Sequence, residues 1–88
     1  MAYFLEVSEE LNKQFSKLAK RDKVLFKALT KKVQEIRENP QHYKPLRAPL
    51  QNKRRVHIGG SFVLIFSIDE ERNTVRLLEF EHHDEAYK

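Results

Sequence analysis

The chain has no cysteine. That excludes a disulfide framework, a thiolate nucleophile and a cysteine-ligated zinc, and it is compatible with a reducing compartment. It holds only two glycines and three prolines, too few for a disordered or low-complexity segment, and no glycine-rich phosphate loop is present. No apolar run approaches the length of a signal segment or a membrane span, and Met1-Ala2-Tyr3-Phe4-Leu5-Glu6 carries no basic residue. The expected location is therefore the cytoplasm, with no membrane contact. What is present is 88 residues, 40% hydrophobic and 34% charged. These predict one globular domain over residues 1–88 with a single modest core.

The net charge of +4 is unevenly spread. Residues 1–10 hold Glu6, Glu9 and Glu10 and no basic group, whereas residues 11–57 hold fourteen Lys and Arg against Asp22, Glu35 and Glu38, a balance of +11. Residues 58–88 hold three basic and seven acidic groups. A basic middle of that density fits a polyanion partner, because each phosphate contact releases counterions. It equally fits a solvated, lysine-rich helix face.

Ala2–Val7 sets Tyr3, Leu5 and Val7 against Phe4 and Glu6, the alternation of a strand. Ser8 offers a helix N-cap, Glu9 and Glu10 suit the first turn, and Leu11, Phe15 and Leu18 recur at helical spacing. Asp22 can cap again before a second stripe of Leu25, Leu29, Val33 and Ile36, which Asn39-Pro40 ends. The tight connection predicts a helical hairpin able to cover one face of a sheet. Residues 39–52 contain all three prolines and no periodicity, the pattern of a long surface loop. Its Tyr43, Lys44 and Arg47 could serve nucleic acid by stacking and phosphate contact, or the segment could be a proline-pinned connector.

Lys53–Ile58 alternates Arg54, Val56 and Ile58 with Arg55 and His57, and Gly59-Gly60 can supply a tight turn. In the next strand Phe62, Leu64, Phe66 and Ile68 line one face and Val63 and Ile65 the other, so it belongs in the middle of the sheet. Phe62, Phe66 and Phe80 fit a core better than a base-stacking platform. After a turn at Asp69–Asn73, Thr74–Phe80 gives a last strand with Val75 and Leu77 opposite Arg76, Leu78 and Phe80. The tail is then Glu81-His82-His83-Asp84-Glu85-Ala86-Tyr87-Lys88. The predicted fold class is α+β, in the order β-α-α-β-β-β, an antiparallel-rich sheet with the helical hairpin on one face.

That order, together with Lys44-Pro45-Leu46-Arg47, the run from Arg54-Arg55-Val56-His57-Ile58-Gly59-Gly60-Ser61 to Phe62-Val63-Leu64-Ile65-Phe66, and the closing His82-His83-Asp84-Glu85-Ala86-Tyr87, resembles the RelE/ParE superfamily of type II toxin-antitoxin toxins. The resemblance spans essentially the whole chain. It implies either a ribosome-dependent endoribonuclease cutting messenger RNA, as RelE-like members are, or a DNA gyrase poison, as ParE-like members are. In both cases it implies a cognate, RelB-like antitoxin with an acidic or amphipathic helix. RelE-like toxins commonly place an arginine directly after the aromatic residue that opens the central strand; here that position is Val63. Either the chemistry depends on histidine, or binding is kept without cleavage.

RNA cleavage by 2′-OH attack needs a base, cations for the phosphorane and an acid for the departing oxygen. Histidine suits base or acid, with an ordinary pKa of about 6.5. Arginine suits the phosphate. The candidates for proton transfer are His57, His82 and His83, with Asp84 orienting an imidazole. Tyr87 resembles the family's C-terminal tyrosine, which stacks on a base or helps proton transfer. Lys44, Arg47, Lys53, Arg54 and Arg55 are the candidate phosphate contacts. A metal held by His57, His82, His83 and Asp84 matches no known ligand spacing, and neither a metal nor another cofactor is expected.

Overall fold

The computed structural model describes residues 2–46 and 52–82. Its elements are β1 (Phe4–Val7), α1 (Glu9–Arg21), α2 (Lys23–Glu38), a 3-10 turn (Pro40–His42), β2 (Lys53–Ile58), β3 (Phe62–Asp69) and β4 (Thr74–His82). The protein is α+β, with a four-stranded mixed sheet in the order β1-β4-β3-β2, β1 running parallel to β4 and the other pairs antiparallel.

The helices form where the sequence offers caps. The Ser8 hydroxyl accepts from the Leu11 N–H at 3.1 Å, and the Asp22 carboxylate accepts from the Leu25 N–H at 3.0 Å. Asp22 also ends α1, its own N–H donating to the Leu18 carbonyl at 2.9 Å. One residue therefore closes one helix and opens the next, which brings the two against each other. Together they cover one face of the sheet, α1 lying over β4 and α2 over β2. Leu11, Leu25, Leu29 and Ile36 meet Ile58, Leu64, Phe66, Val75, Leu77 and Phe80 in one buried cluster.

β3 lies between β2 and β4, as its apolar residues on both faces require. The neighbouring strands differ from the sequence reading in two ways. β1 starts at Phe4 rather than Ala2, and β4 runs on to His82, so Glu81 and His82 belong to the sheet and not to a tail. The second difference is in phase. Phe66 faces Leu77 and Ile65 faces Glu79, which leaves Leu78 as an extra residue in a β-bulge. Phe80 therefore joins Val75 and Leu77 on the helix-covered face instead of standing opposite them. Its ring meets Phe15 edge-on, with centroids 5.7 Å apart, and stacks on Phe62 at 5.1 Å.

Residues 39–46 are also more tied down than a bare surface loop. Pro40 is buried, the Leu46 N–H donates to the Lys53 carbonyl at 2.8 Å, and Pro45 bridges to Arg54. At the far end of β1, the Phe4 N–H donates to the carbonyl of Asn73, which takes a left-handed φ of 52° in the β3–β4 turn. Asparagine tolerates that conformation better than most residues do.

Between β2 and β3, Gly59 and Gly60 take φ of 65° and 81°. A Cβ on Gly59 would lie 2.8 Å from the Leu25 side chain, whereas one on Gly60 meets nothing within 4 Å. Gly59→Ala is expected to lower unfolding stability by about 1–2 kcal/mol. Gly60→Ala should cost less, since it adds backbone strain without a contact. Urea unfolding midpoints of the two variants check the order, and equal midpoints would mean that Leu25 simply moves aside.

Candidate functional site

The strand registers sort the sheet into rows, and the side chains of one row share a face. On the helix-covered side stand Arg54–Phe66–Leu77–Val7, Val56–Leu64–Phe80 and Ile58–Phe62–His82. On the opposite, open side stand Lys53–Ser67–Arg76–Glu6, Arg55–Ile65–Glu79 and His57–Val63–Glu81. The open face thus has a basic column on β2, a largely apolar column on β3 and an acidic pair on β4.

The β2 column is completed by residues 44–46. Lys44, Pro45 and Leu46 form one wall of a cleft of about 600 Å³, and Arg55 and His57 form the other. The anchoring of Leu46 and Pro45 to β2 is what holds Lys44 there. Three of the residues predicted from the sequence are therefore brought together: Lys44, Arg55 and His57. Lys53 lies on the same face one row from Arg55.

The others are placed differently. Arg54 points to the helix side, where its guanidinium donates to the Tyr43 carbonyl. That bond ties the loop to the strand. Tyr43 is half-buried and turns its ring edge-on to Phe66, with centroids 5.7 Å apart. Burial pushes its phenol pKa up, with the Lys32 cation opposing and the Glu35 carboxylate adding to the shift. His82 is on the helix side of the sheet, edge-on to the Phe62 ring at 5.4 Å. The central strand and the thickness of the sheet lie between it and His57. Arg47, His83, Asp84 and Tyr87 fall outside the described residues.

Two groups on the open face escaped the sequence reading, Glu79 and Glu81. Their i, i+2 spacing was a signal that they share a face, but which face could not be read without the bulge at Leu78. Val63 between Glu81 and His57 is buried, at 1% exposure, yet lies outside the cluster sealed by the helices. At the other end of this face Arg76 binds Glu6 at 2.5 Å and Asp69 at 3.0 Å. These carboxylates, Glu6 first, raise the guanidinium's pKa and commit Arg76 to β1, β3 and the turn.

No metal-binding group of three or more His, Asp or Glu occurs among the described residues, and no helix among them is long and apolar enough to cross a membrane. The arrangement offers an ammonium and a guanidinium beside an imidazole in one cleft. That is equipment for holding and acting on a phosphodiester.

The comparisons with known proteins agree with the fold. Residues 5–87 match the family described as ParE toxin of type II toxin-antitoxin system, parDE. A Methanocaldococcus jannaschii protein named "Putative toxin RelE4" is 51% identical over 86 residues, which covers 98% of this chain and 92% of that protein. A mutant of the E. coli toxin RelE in the free state superposes with a TM-score of 0.77 at 22% identity, covering 99% of this chain and 90% of that one. The same toxin in complex with an antitoxin RelBc peptide gives 0.75 at 26% identity, covering 99% and 92%. The chain belongs to the RelE/ParE superfamily of toxins from type II toxin-antitoxin systems.

Proposed function

We propose that this toxin is a metal-independent endoribonuclease that cuts messenger RNA on the ribosome and so halts translation. The observation that carries this reading is the cleft in which Lys44 and Arg55 flank His57. The cations bind the scissile phosphate and its neighbour, and Lys53 extends the basic track along β2. His57 transfers a proton as the ribose 2′-OH attacks phosphorus and the 5′-oxygen leaves, giving a 2′,3′-cyclic phosphate and a 5′-hydroxyl. Arg54, half-buried and bonded to the Tyr43 carbonyl, holds the site together rather than touching RNA. His82 would act from the other side of the sheet. Arg47, His83, Asp84 and Tyr87 remain proposed contributors on the family resemblance alone. The partner is an antitoxin, as the RelE complex with a RelBc peptide suggests, and an acidic amphipathic helix suits the basic cleft.

A second reading, a ParE-like gyrase inhibitor, is favoured by one observation. The central open-face position is Val63, an apolar residue where a phosphate-stabilising cation would serve cleavage. Production of the toxin alone in cells, with messenger RNA 5′ ends mapped against ribosome position, separates the two. New 5′-hydroxyl ends in the ribosomal A site are expected. Growth arrest with trapped gyrase–DNA breaks and no new RNA ends would replace the first reading by the second.

A further inference from the structure

We propose that His42 is the stacking platform for one nucleobase of the single-stranded RNA held in the cleft. The inference rests on the ribonuclease reading above and adds to it a subsite that grips a base of the substrate beside the bound phosphate.

The backbone and a neighbouring ring hold the imidazole in place. The 3-10 turn starts at the buried Pro40, and the His42 N–H donates to the Asn39 carbonyl at 3.2 Å. The Asn39 N–H in turn donates to the Glu35 carbonyl in the last turn of α2, also at 3.2 Å. The rings of His42 and Tyr43 stand at 84° with centroids 5.2 Å apart. Tyr43 is itself fixed, at 89° to the buried Phe66 ring and by the Arg54 bond to its carbonyl. A perpendicular contact occupies at most one face of an imidazole. The other face of His42, an exposed residue, is open to a flat ligand.

The phosphate-binding cleft is close by along the chain. Tyr43 is extended, with φ −90° and ψ 143°, and two residues span at most about 7 Å, so Lys44 follows His42 within that distance. Lys44 walls the cleft with Arg55 and His57. An RNA strand whose phosphate meets Lys44 therefore has a base within reach of His42. Beside the imidazole lies a second cavity, of about 360 Å³, bounded by Tyr43 and by Lys32, Glu35, Glu38 and Asn39. Its size is that of a small-ligand site. Lys32 pairs with Glu35 at 3.1 Å, which offsets one of the two carboxylates. The Asn39 amide makes no capping bond to the turn it precedes and can donate to or accept from a base edge.

The choice of His42 over other rings follows from their surroundings. Tyr43, the residue that the sequence offers for stacking, turns its ring to Phe66. Phe62 and Phe80 stack on each other, and the Tyr3 hydroxyl donates to Glu70. Phe4 is 68% exposed but lies on β1, at the opposite edge of the sheet from β2. Unpaired bases are gripped by stacking on aromatic side chains, histidine among them, and the contact tolerates any base because each has a π-face.

The test is single-turnover cleavage of ribosome-bound messenger RNA carrying one abasic nucleotide, scanned through the positions around the cut, by the wild type and by His42→Ala. The variant is expected to cut intact RNA about tenfold more slowly, the share of one stacked base. At one position the abasic RNA should slow the wild type by a similar factor and His42→Ala no further. At the other positions the two losses should multiply. His42→Phe, which keeps a flat ring without a titratable nitrogen, should regain most of the lost rate. Losses that multiply at every position overturn the subsite and leave the ribonuclease reading standing. So does an equally active His42→Ala, or a His42→Phe as slow as His42→Ala. A wild type that cuts no ribosome-bound RNA removes that reading, and binding then decides the subsite, with 2-aminopurine scanned through a short single-stranded RNA. Fluorescence quenched at one position by the wild type and not by His42→Ala supports the subsite, and equal quenching overturns it.

Discussion

His57→Ala is expected to lower the RNA cleavage rate by about 10²–10⁴-fold, the range that a positioned proton-transfer group contributes. Cells producing the variant without antitoxin should grow, where the wild type arrests them. The prediction has large leverage because His57 is the imidazole the structure places in the cleft with Lys44 and Arg55, and because its exposed position on the open face makes it dispensable for the core. Stability should therefore barely move. Arg55→Ala offers the contrast: it should weaken RNA binding and flatten the salt dependence of affinity by about 0.7–0.9 in log–log slope, the share of one phosphate contact. If His57→Ala cuts RNA as fast as the wild type, this cleft is not where the proton moves.

Phe66→Ala is expected to destabilise the toxin by about 3–5 kcal/mol, the largest loss from any single truncation here. The ring is wholly buried at the centre of the sheet, stands in a row with Arg54 and Leu77, and takes the edge of Tyr43 against it. A chain of this size has a total stability of about 4–13 kcal/mol, so the variant should be largely unfolded at body temperature or close to it. Because Tyr43 and the Arg54 bond to its carbonyl lean on the same ring, Phe66→Ala should also loosen the segment carrying Lys44. Denaturant unfolding gives the first effect and hydrogen exchange of the Leu46 amide the second. A loss below about 1.5 kcal/mol would show that the helices collapse onto the vacated space.

Much of this fold was legible from local chemistry. Ser8 and Asp22 announce both helices, the apolar spacing marks their buried stripes, and an apolar strand on both faces announces β3 as interior. The parallel pairing of β1 with β4 was not legible, because it joins the two ends of the chain through contacts that no local pattern encodes. The site divided in the same way. Strand alternation and the position of the loop sufficed to group Lys44, Arg55 and His57, which the structure brings to one cleft. The bond of Arg54 to the Tyr43 carbonyl was not legible, because a backbone partner leaves no trace in the sequence. The side of the sheet that His82 faces was not legible, because a bulge cannot be seen in a row of side-chain types.

The extra residue at Leu78 has an evolutionary reading. With 75 and 77 facing the helices, an unbroken alternation would turn 79 and 81 inward and present Phe80 and His82 on the open face; the insertion reverses this. Deleting Leu78 would remove the bulge and leave Phe80 and His82 inward and Glu79 and Glu81 outward, in an unbroken ladder. An ungapped alignment of this strand with an unbulged relative would therefore pair residues from opposite sides of the sheet.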